Sequence, residues 1–142
     1  MAKTKKETTK KKPAEWIYSK GRRRTASARI RLIEGEGEST VNEILVGKYF
    51  PGEALLNRWQ KAFVLTDTLG KYHFTAKVAG GGKNGQLEAV MHGVSRSLST
   101  ISPDNRAVLK KAGLLTRDGR KRERRKVGTG GKARRAKQSP KR

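Results

Sequence analysis

The chain has 142 residues, enough for one domain, and carries 35 Lys or Arg against 12 Asp or Glu, a formal net charge of +23. The absence of cysteine excludes a disulfide framework and a thiolate metal site, and two histidines exclude a His-rich cluster. No apolar run approaches the roughly 18 residues of a membrane helix, and the charged start "MAKTKKETTKKKPAEW" is not followed by the apolar stretch of a secretory signal.

The charge is unevenly spread. Residues 1–24 hold ten cations and two acids, residues 117–142 hold thirteen and two, and residues 25–116 are left with a net of only +4. Two basic arms of this kind repel themselves and need a polyanion to condense on. Neither arm has the bulky apolar residues that insert into a membrane, so nucleic acid is the expected partner and a membrane is not.

In chain order, residues 1–16 read as a disordered Lys-rich arm with too few apolar residues to offset ordering entropy. From Thr25 the pattern alternates: Ala26, Ala28, Ile30 and Leu32 share one face, and Ser27, Arg29 and Arg31 the other. That predicts a half-buried strand with arginine on its outer face. "EGEGE" (34–38) turns the chain, and "STVNEILV" (39–46) supplies a second strand with a short continuation. Pro51 suits a helix start, and Leu55, Leu56, Trp59, Ala62 and Phe63 keep helical spacing after it. "KYHFTAKVAG" (71–80) alternates again, with Tyr72, Phe74, Ala76 and Val78 inward.

The stretch "GGGKNG" then leads into a second helix with an apolar stripe of Leu87, Val90, Met91, Val94, Leu98 and Ile101. Ala89, Gly93 and Ser97 form a row of small residues suited to a close neighbour. Ser102-Pro103-Asp104 reads as an N-cap, a Pro and a first-turn acid, and the short helix that follows ends at Gly113. Residues 17–116 thus read as a globular domain, and residues 117–142 as an extended Arg/Lys-rich tail without periodicity. The expected architecture is a small α+β or α/β layer of roughly ninety residues with basic extensions at both ends.

Candidate sites fall into a few constellations. "GGGKNG" contains a formal G-x-G-x-x-G (Gly80, Gly82, Gly85), but the chain has no room for the further βα units of a dinucleotide fold, and no Lys-Ser/Thr follows as in a Walker loop. Two readings stay open: a tight turn requiring positive φ, or exposed amides at Gly81 and Gly82 beside Lys83 that hold a backbone phosphate. Glu88 and His92 share a helix face without a third ligand and read as a solvated face beside Arg96. Glu34, Glu36 and Glu38 lack calcium-loop spacing and read as a solvated hairpin pointing away from nucleic acid. We identify no catalytic set, no metal site and no cofactor.

The tail is the strongest signal. Arg grips phosphate at two points and stacks on bases, and "GRKRERRKVGTGGKARRAKQSPKR" (119–142) is dominated by it and Lys. Extended, residues 127–142 would reach about 50 Å at ~3.3 Å each, far beyond the body of such a domain. Candidate RNA contacts in the body are Arg22, Arg23, Arg24, Arg29, Arg31 and Arg96. In the tail they are Arg117, Arg120, Arg122, Arg124, Arg125, Lys126, Lys132, Arg134 and Arg135.

Certain stretches carry a resemblance. "GGGKNGQLEAVMHGVSRSL" (80–98) followed by "LLTRDGRKRERRKVGTGGKARR" (114–135), with "GRRRTASARI" (21–30), "GEGESTVN" (35–42) and "YFPGE" (49–53), resembles the small-subunit ribosomal protein nine family over about residues 17–142. Thr116, Arg117, Asp118, Glu123 and Arg124 match its bacterial or organellar branch. The resemblance implies an α+β fold like the second domain of ribosomal protein five, a small two-layer mixed sheet with helices packed on one side. It makes residues 17–116 a globular RNA-binding domain, with a non-enzymatic place in the head of the small subunit, in the bacterial cytoplasm or an organelle. Implied partners are the 3′ domain of the small-subunit rRNA, neighbouring head proteins and P-site tRNA, with no homo-oligomer.

The resemblance also implies that the tail threads through head RNA, with Arg134 and Arg135 on rRNA and Ser139, Lys141 and Arg142 approaching the tRNA anticodon stem-loop. The family ends on an aromatic residue followed by Ser-Lys-Arg, whereas this chain ends "QSPKR". Ser139 is displaced by one position, Pro140 intervenes, and the aromatic residue is missing. The lysine arm has no counterpart in the family pattern. Two other classes compete with this reading: a DNA-condensing protein, which would bind duplex DNA and structured RNA alike, and an RNA-processing enzyme, which would need an acid or metal constellation.

Overall fold

Alternation of small or apolar residues with charged ones builds the sheet. The structure, a computed structural model, describes residues 16–130 together with positions 136 and 139. Strand β1 (Trp16–Arg23) pairs antiparallel with β2 (Ala26–Glu34), and β2 pairs antiparallel with the strand at Tyr72–Ala79. Between these lie β3 (Thr40–Val41), β4 (Ile44–Leu45), α1 (Val46–Tyr49) and α2 (Glu53–Leu65), which makes the Tyr72–Ala79 strand β5. Helices α3 (Lys83–Ile101) and α4 (Pro103–Lys111) follow. The sheet order is β1-β2-β5-β3-β4, with β3 parallel to β5, so the sheet is mixed. The helices cover one face, giving the expected two-layer α+β architecture.

The apolar faces anticipated on β2, β5 and α3 meet in the core. Ile30, Leu32, Phe74 and Ala76 face Leu87, Val90, Val94 and Leu98, all buried. Phe63 of α2 stacks on Phe74 with ring centroids 6.2 Å apart, and Trp59 meets Phe74 edge-on at 5.8 Å. Helix α4 is capped as its sequence requires: the Ser102 side chain accepts from the Asp104 amide at 3.2 Å. At its other end, Gly113 (φ 72°) donates to the Lys110 carbonyl and Leu114 to the Leu109 carbonyl, the Schellman pattern, and both leucines are buried.

Three local expectations are corrected. Residues 39–46 form two strands of two residues each, because Asn42 and Glu43 both adopt positive φ (49° and 69°) and reverse the chain between them. Asn42 also lengthens the short β3 with its side chain: Oδ1 accepts from the Val78 amide at 2.8 Å and Nδ2 donates to the Val78 carbonyl at 3.1 Å. Helix α2 starts at Glu53 and not at Pro51, with the Gly52 carbonyl accepting from Leu55 and Leu56. Strand β1 begins at Trp16, ahead of the alternation that starts at Thr25.

Strand β1 has an inner face of Ile17, Ser19, Gly21 and Arg23, with no run of large apolar residues. The reason is α3, whose small row packs directly on this strand. A Cβ on Gly21 would stand 1.8 Å from the Ala89 carbonyl oxygen, and one on Gly93 would stand 2.6 Å from Ile30 Cγ1 and 3.2 Å from the Gly21 amide. Ser19 Oγ donates to the Gly93 carbonyl at 2.6 Å, and Ser97 Oγ donates to Ser19 Oγ at 2.7 Å. These hydroxyls are buried but satisfied, which removes the cost of desolvating them. Gly21→Ala is expected to lower unfolding free energy by about 3 kcal/mol, since backbone must move to admit the methyl. Gly47→Ala, with nothing within 4 Å of the added Cβ, should change it by less than about 0.5 kcal/mol. Urea denaturation of the two variants checks both values.

Candidate nucleic-acid interface

Pairing register places the charged groups at opposite ends of the sheet. Arg23 of β1, Ala26 of β2 and the Ala79–Gly80 end of β5 lie at one end; Trp16, Ile33 and Tyr72 lie at the other, about 25 Å away along the strands. The first end also carries the start of α3 and, by way of α4, the root of the tail.

The β1–β2 turn exposes Arg24, held at φ 53°. Arg24 borders a surface hollow of about 500 Å³ whose lining is entirely cationic: Arg23, Arg24, Arg120, Lys121 and Arg122. Like charges gather there because an internal bridge fixes the tail root. Arg23 is only 14 % exposed and gives Nε to Glu88 Oε2 at 2.5 Å and Nη2 to Asp118 Oδ2 at 3.0 Å, while Nη1 donates to the Arg120 carbonyl at 2.8 Å. Arg58 reaches the other Glu88 oxygen at 3.3 Å. The Arg120 side chain and amide both bond Asp118, at 2.8 and 2.9 Å, and hold its carboxyl well below the usual carboxylate range, with Arg23 adding to the effect.

Glu88 is therefore no solvated carboxylate, and the expectation of a solvated face beside Arg96 is corrected. Together with Asp118, Glu88 (which also pairs with Arg58) compensates the charge of Arg23, whose work is internal. His92, on the same face, accepts from the Arg22 amide at 3.3 Å through Nδ1. Arg96 donates to the Lys20 carbonyl at 2.8 Å and clips α3 to β1.

The glycine turn stands beside this hollow. Gly80 and Gly81 have φ of 75° and 62°, a conformation that a side chain disfavours, and Gly82 is the N-cap of α3 without a side-chain cap. The first amides of a 19-residue helix are thus left to solvent or an anion. Lys83 is directed back onto Tyr49, with Nζ 3.4 Å from the ring centroid and 3.3 Å from the Tyr49 carbonyl.

A second basic surface is the sheet face that no helix covers. Arg29, Arg31 and Lys77 line a hollow there with Tyr18 and one acid, Glu43, and Arg31 Cζ lies 5.0 Å from the centre of the Trp16 ring. Trp16 and Tyr18, 48 % and 45 % exposed, place aromatic faces among cations. Reading the residues missed both, because they fall before the alternation begins. Arg117, Arg122, Arg124, Arg125 and Lys126 are exposed along the tail, as is Ser139. Lys132, Arg134, Arg135, Lys141 and Arg142, and the arm at 1–15, lie outside the described residues. Among the described residues, no group of three or more His, Cys, Asp or Glu side chains could hold a metal, and no helix is long and apolar enough to cross a membrane.

Comparison with known proteins bears on what this surface serves. The family model described as "Ribosomal protein S9/S16" matches residues 21–142. The chain is 49 % identical over 117 residues to the small ribosomal subunit protein uS9 of Solidesulfovibrio magneticus, covering 82 % of this chain and 90 % of that one. It is 50 % identical over 117 residues, with the same coverage, to the protein of that name from Maridesulfovibrio salexigens. The chain belongs to the ribosomal protein S9 family. S9 proteins are structural, non-enzymatic constituents of the small ribosomal subunit, so the cationic hollow and tail root are surfaces of a ribosomal protein.

The contact of His92 with β1, beside the tail root, is sensitive to pH. Burial holds the pKa of His92 below the ordinary 6.5, with Arg96 and Arg117 pushing the same way against a backbone hydrogen bond to Leu115. A group with a lowered folded pKa contributes fully above the unfolded value, and the contribution is lost as pH falls through the folded value. Thermal stability is therefore expected to fall as pH drops below 6.5, and His92→Gln should flatten that part of the profile. Melting temperatures of both proteins between neutral and mildly acidic pH test this.

Proposed function

We propose that this S9-family chain docks on folded rRNA of the small-subunit head through the basic end of its sheet, and that its tail runs on through RNA towards P-site tRNA. The observation that carries this reading is the hollow lined only by Arg23, Arg24, Arg120, Lys121 and Arg122 where the tail leaves the body. Glu88 and Asp118 pair with Arg23 and Arg120, but Arg24, Lys121 and Arg122 have no acid beside them in the hollow, and a phosphate backbone relieves their repulsion and releases counterions as it does so. The uncapped start of α3 next to them adds backbone amides suited to phosphate oxygens. Arg29, Arg31 and Lys77, with Trp16 and Tyr18, supply a second contact on the open sheet face.

Contacts of this type set position and affinity without reading base sequence. In this reading the chain works as one copy, within a bacterial or organellar ribosome. Lys141 and Arg142 provide charge at the P site, and Pro140 contributes rigidity but no N–H.

Sucrose-gradient fractionation of tagged protein from its source cells, repeated in high salt, tests the proposal. Migration with the small subunit after the salt wash is the expected result; release to the top of the gradient would favour a general nucleic-acid binder. In the same assay, substituting Arg134 and Arg135 together should impair assembly more than removing Lys5 and Lys6. Deleting Pro140–Arg142 should preserve docking while modestly speeding tRNA dissociation from the P site.

A further inference from the structure

The end of the sheet remote from the tail has a different chemistry. There the turn at residues 36–39, the β4–α1 junction, α2 and the segment leading into β5 enclose an open groove of about 550 Å³. Leu45, Trp59, Phe63, Leu69 and Tyr72 line it, and Leu69 is 55 % exposed. Glu36 and Glu38 stand on its rim, and neither makes an ion pair among the described residues. Lys48 is the only cation among the lining residues. Packing along this wall is also unfinished: Trp59 Nε1 is buried with no hydrogen-bond acceptor among the described residues.

An apolar groove rimmed by unpaired carboxylates is out of place on a chain of charge +23 if RNA surrounds the whole molecule. Carboxylates repel phosphate, which argues against RNA as its occupant, and two chains of this charge repel one another, which argues against a second copy. The complementary occupant offers large apolar side chains to the walls and cations to the rim. We propose that the groove docks an extended segment of another small-subunit protein, one in which Lys or Arg flanks an apolar anchor. The source of that segment rests on the ribosomal reading; its chemistry rests on the groove alone.

A free-solution test keeps the two apart. Full-length chain is titrated calorimetrically with a short synthetic peptide of lysines flanking one leucine and one phenylalanine. The rest of the protein repels such a probe, so saturable binding reports the groove. Affinity should fall about tenfold in the double variant Glu36→Lys, Glu38→Lys, equivalent to modest loss at two exposed charges, and should also fall in Leu69→Ser. All three substitutions are at exposed positions, and circular dichroism with thermal melting verifies the fold.

Absence of saturable binding, or equal affinity in the charge-reversed variant, overturns the proposal. So does concentration-dependent self-association that Leu69→Ser abolishes, which would make the occupant a second copy. In purified small subunits, a photo-crosslinker replacing Leu69 should capture a protein segment with cations beside an apolar residue. Capture of RNA alone, or of nothing, overturns the assignment. Failure of the ribosomal reading would appear separately, as loss of co-sedimentation.

Discussion

Gly21 and Gly93 face each other with no side chain between strand and helix, and the placement of the ionic bridge at the tail root follows from that approach. Because α3 lies flush on β1, Arg96 reaches the Lys20 carbonyl and Glu88 reaches Arg23. Ser19 and Ser97 fill what would otherwise be a polar gap in a buried seam. A seam of larger residues would lift α3 from β1. Glu88 would then move away from Arg23, and Arg23 would be left half-buried with part of its charge uncompensated, a costly state. The close contact is thus a condition for the ionic bridge and, through the bridge, for where the tail begins.

Charge is segregated along the strand axis by the same architecture. Antiparallel pairing of β1, β2 and β5 sends the Arg22–Arg24 turn and the glycine turn to one end and the glutamate turn to the other. The direction of α3 adds its N-terminal amides to the basic end, and α4 returns the chain there before the tail departs. Two acids among the cations, Glu88 and Asp118, do not weaken this polarity. They compensate the half-buried Arg23 and leave Arg24, Lys121 and Arg122 exposed to meet an anion.

Sequence pattern disclosed the elements whose inner residues are large. Alternation exposed β2 and β5, helical spacing exposed α2 and α3, and Ser102-Pro103-Asp104 marked the start of α4. Strand β1 escaped because its inner face is Ser19 and Gly21, chosen by the closeness of a helix some seventy residues further on. The two-residue strands escaped because a pairing that short leaves no periodicity, and a side chain, that of Asn42, completes it. At the candidate site, the cations were visible as composition. The pairing of Arg23 with Glu88 and Asp118 was not, since no local rule links positions so distant in the chain. The groove was hidden for the same reason: Glu36, Leu45, Trp59 and Leu69 come from four separate segments.

The Schellman turn at Gly113 and the Asp118 bridge together have a mechanical consequence. A pull on the tail is not delivered to the end of α4, where a helix would unravel turn by turn. It passes through Asp118 to Arg23, in a strand joined to β2 along a register of eight residue pairs. The load is then shared across the ladder in shear, and the short helix at the tail's root is shielded from strain.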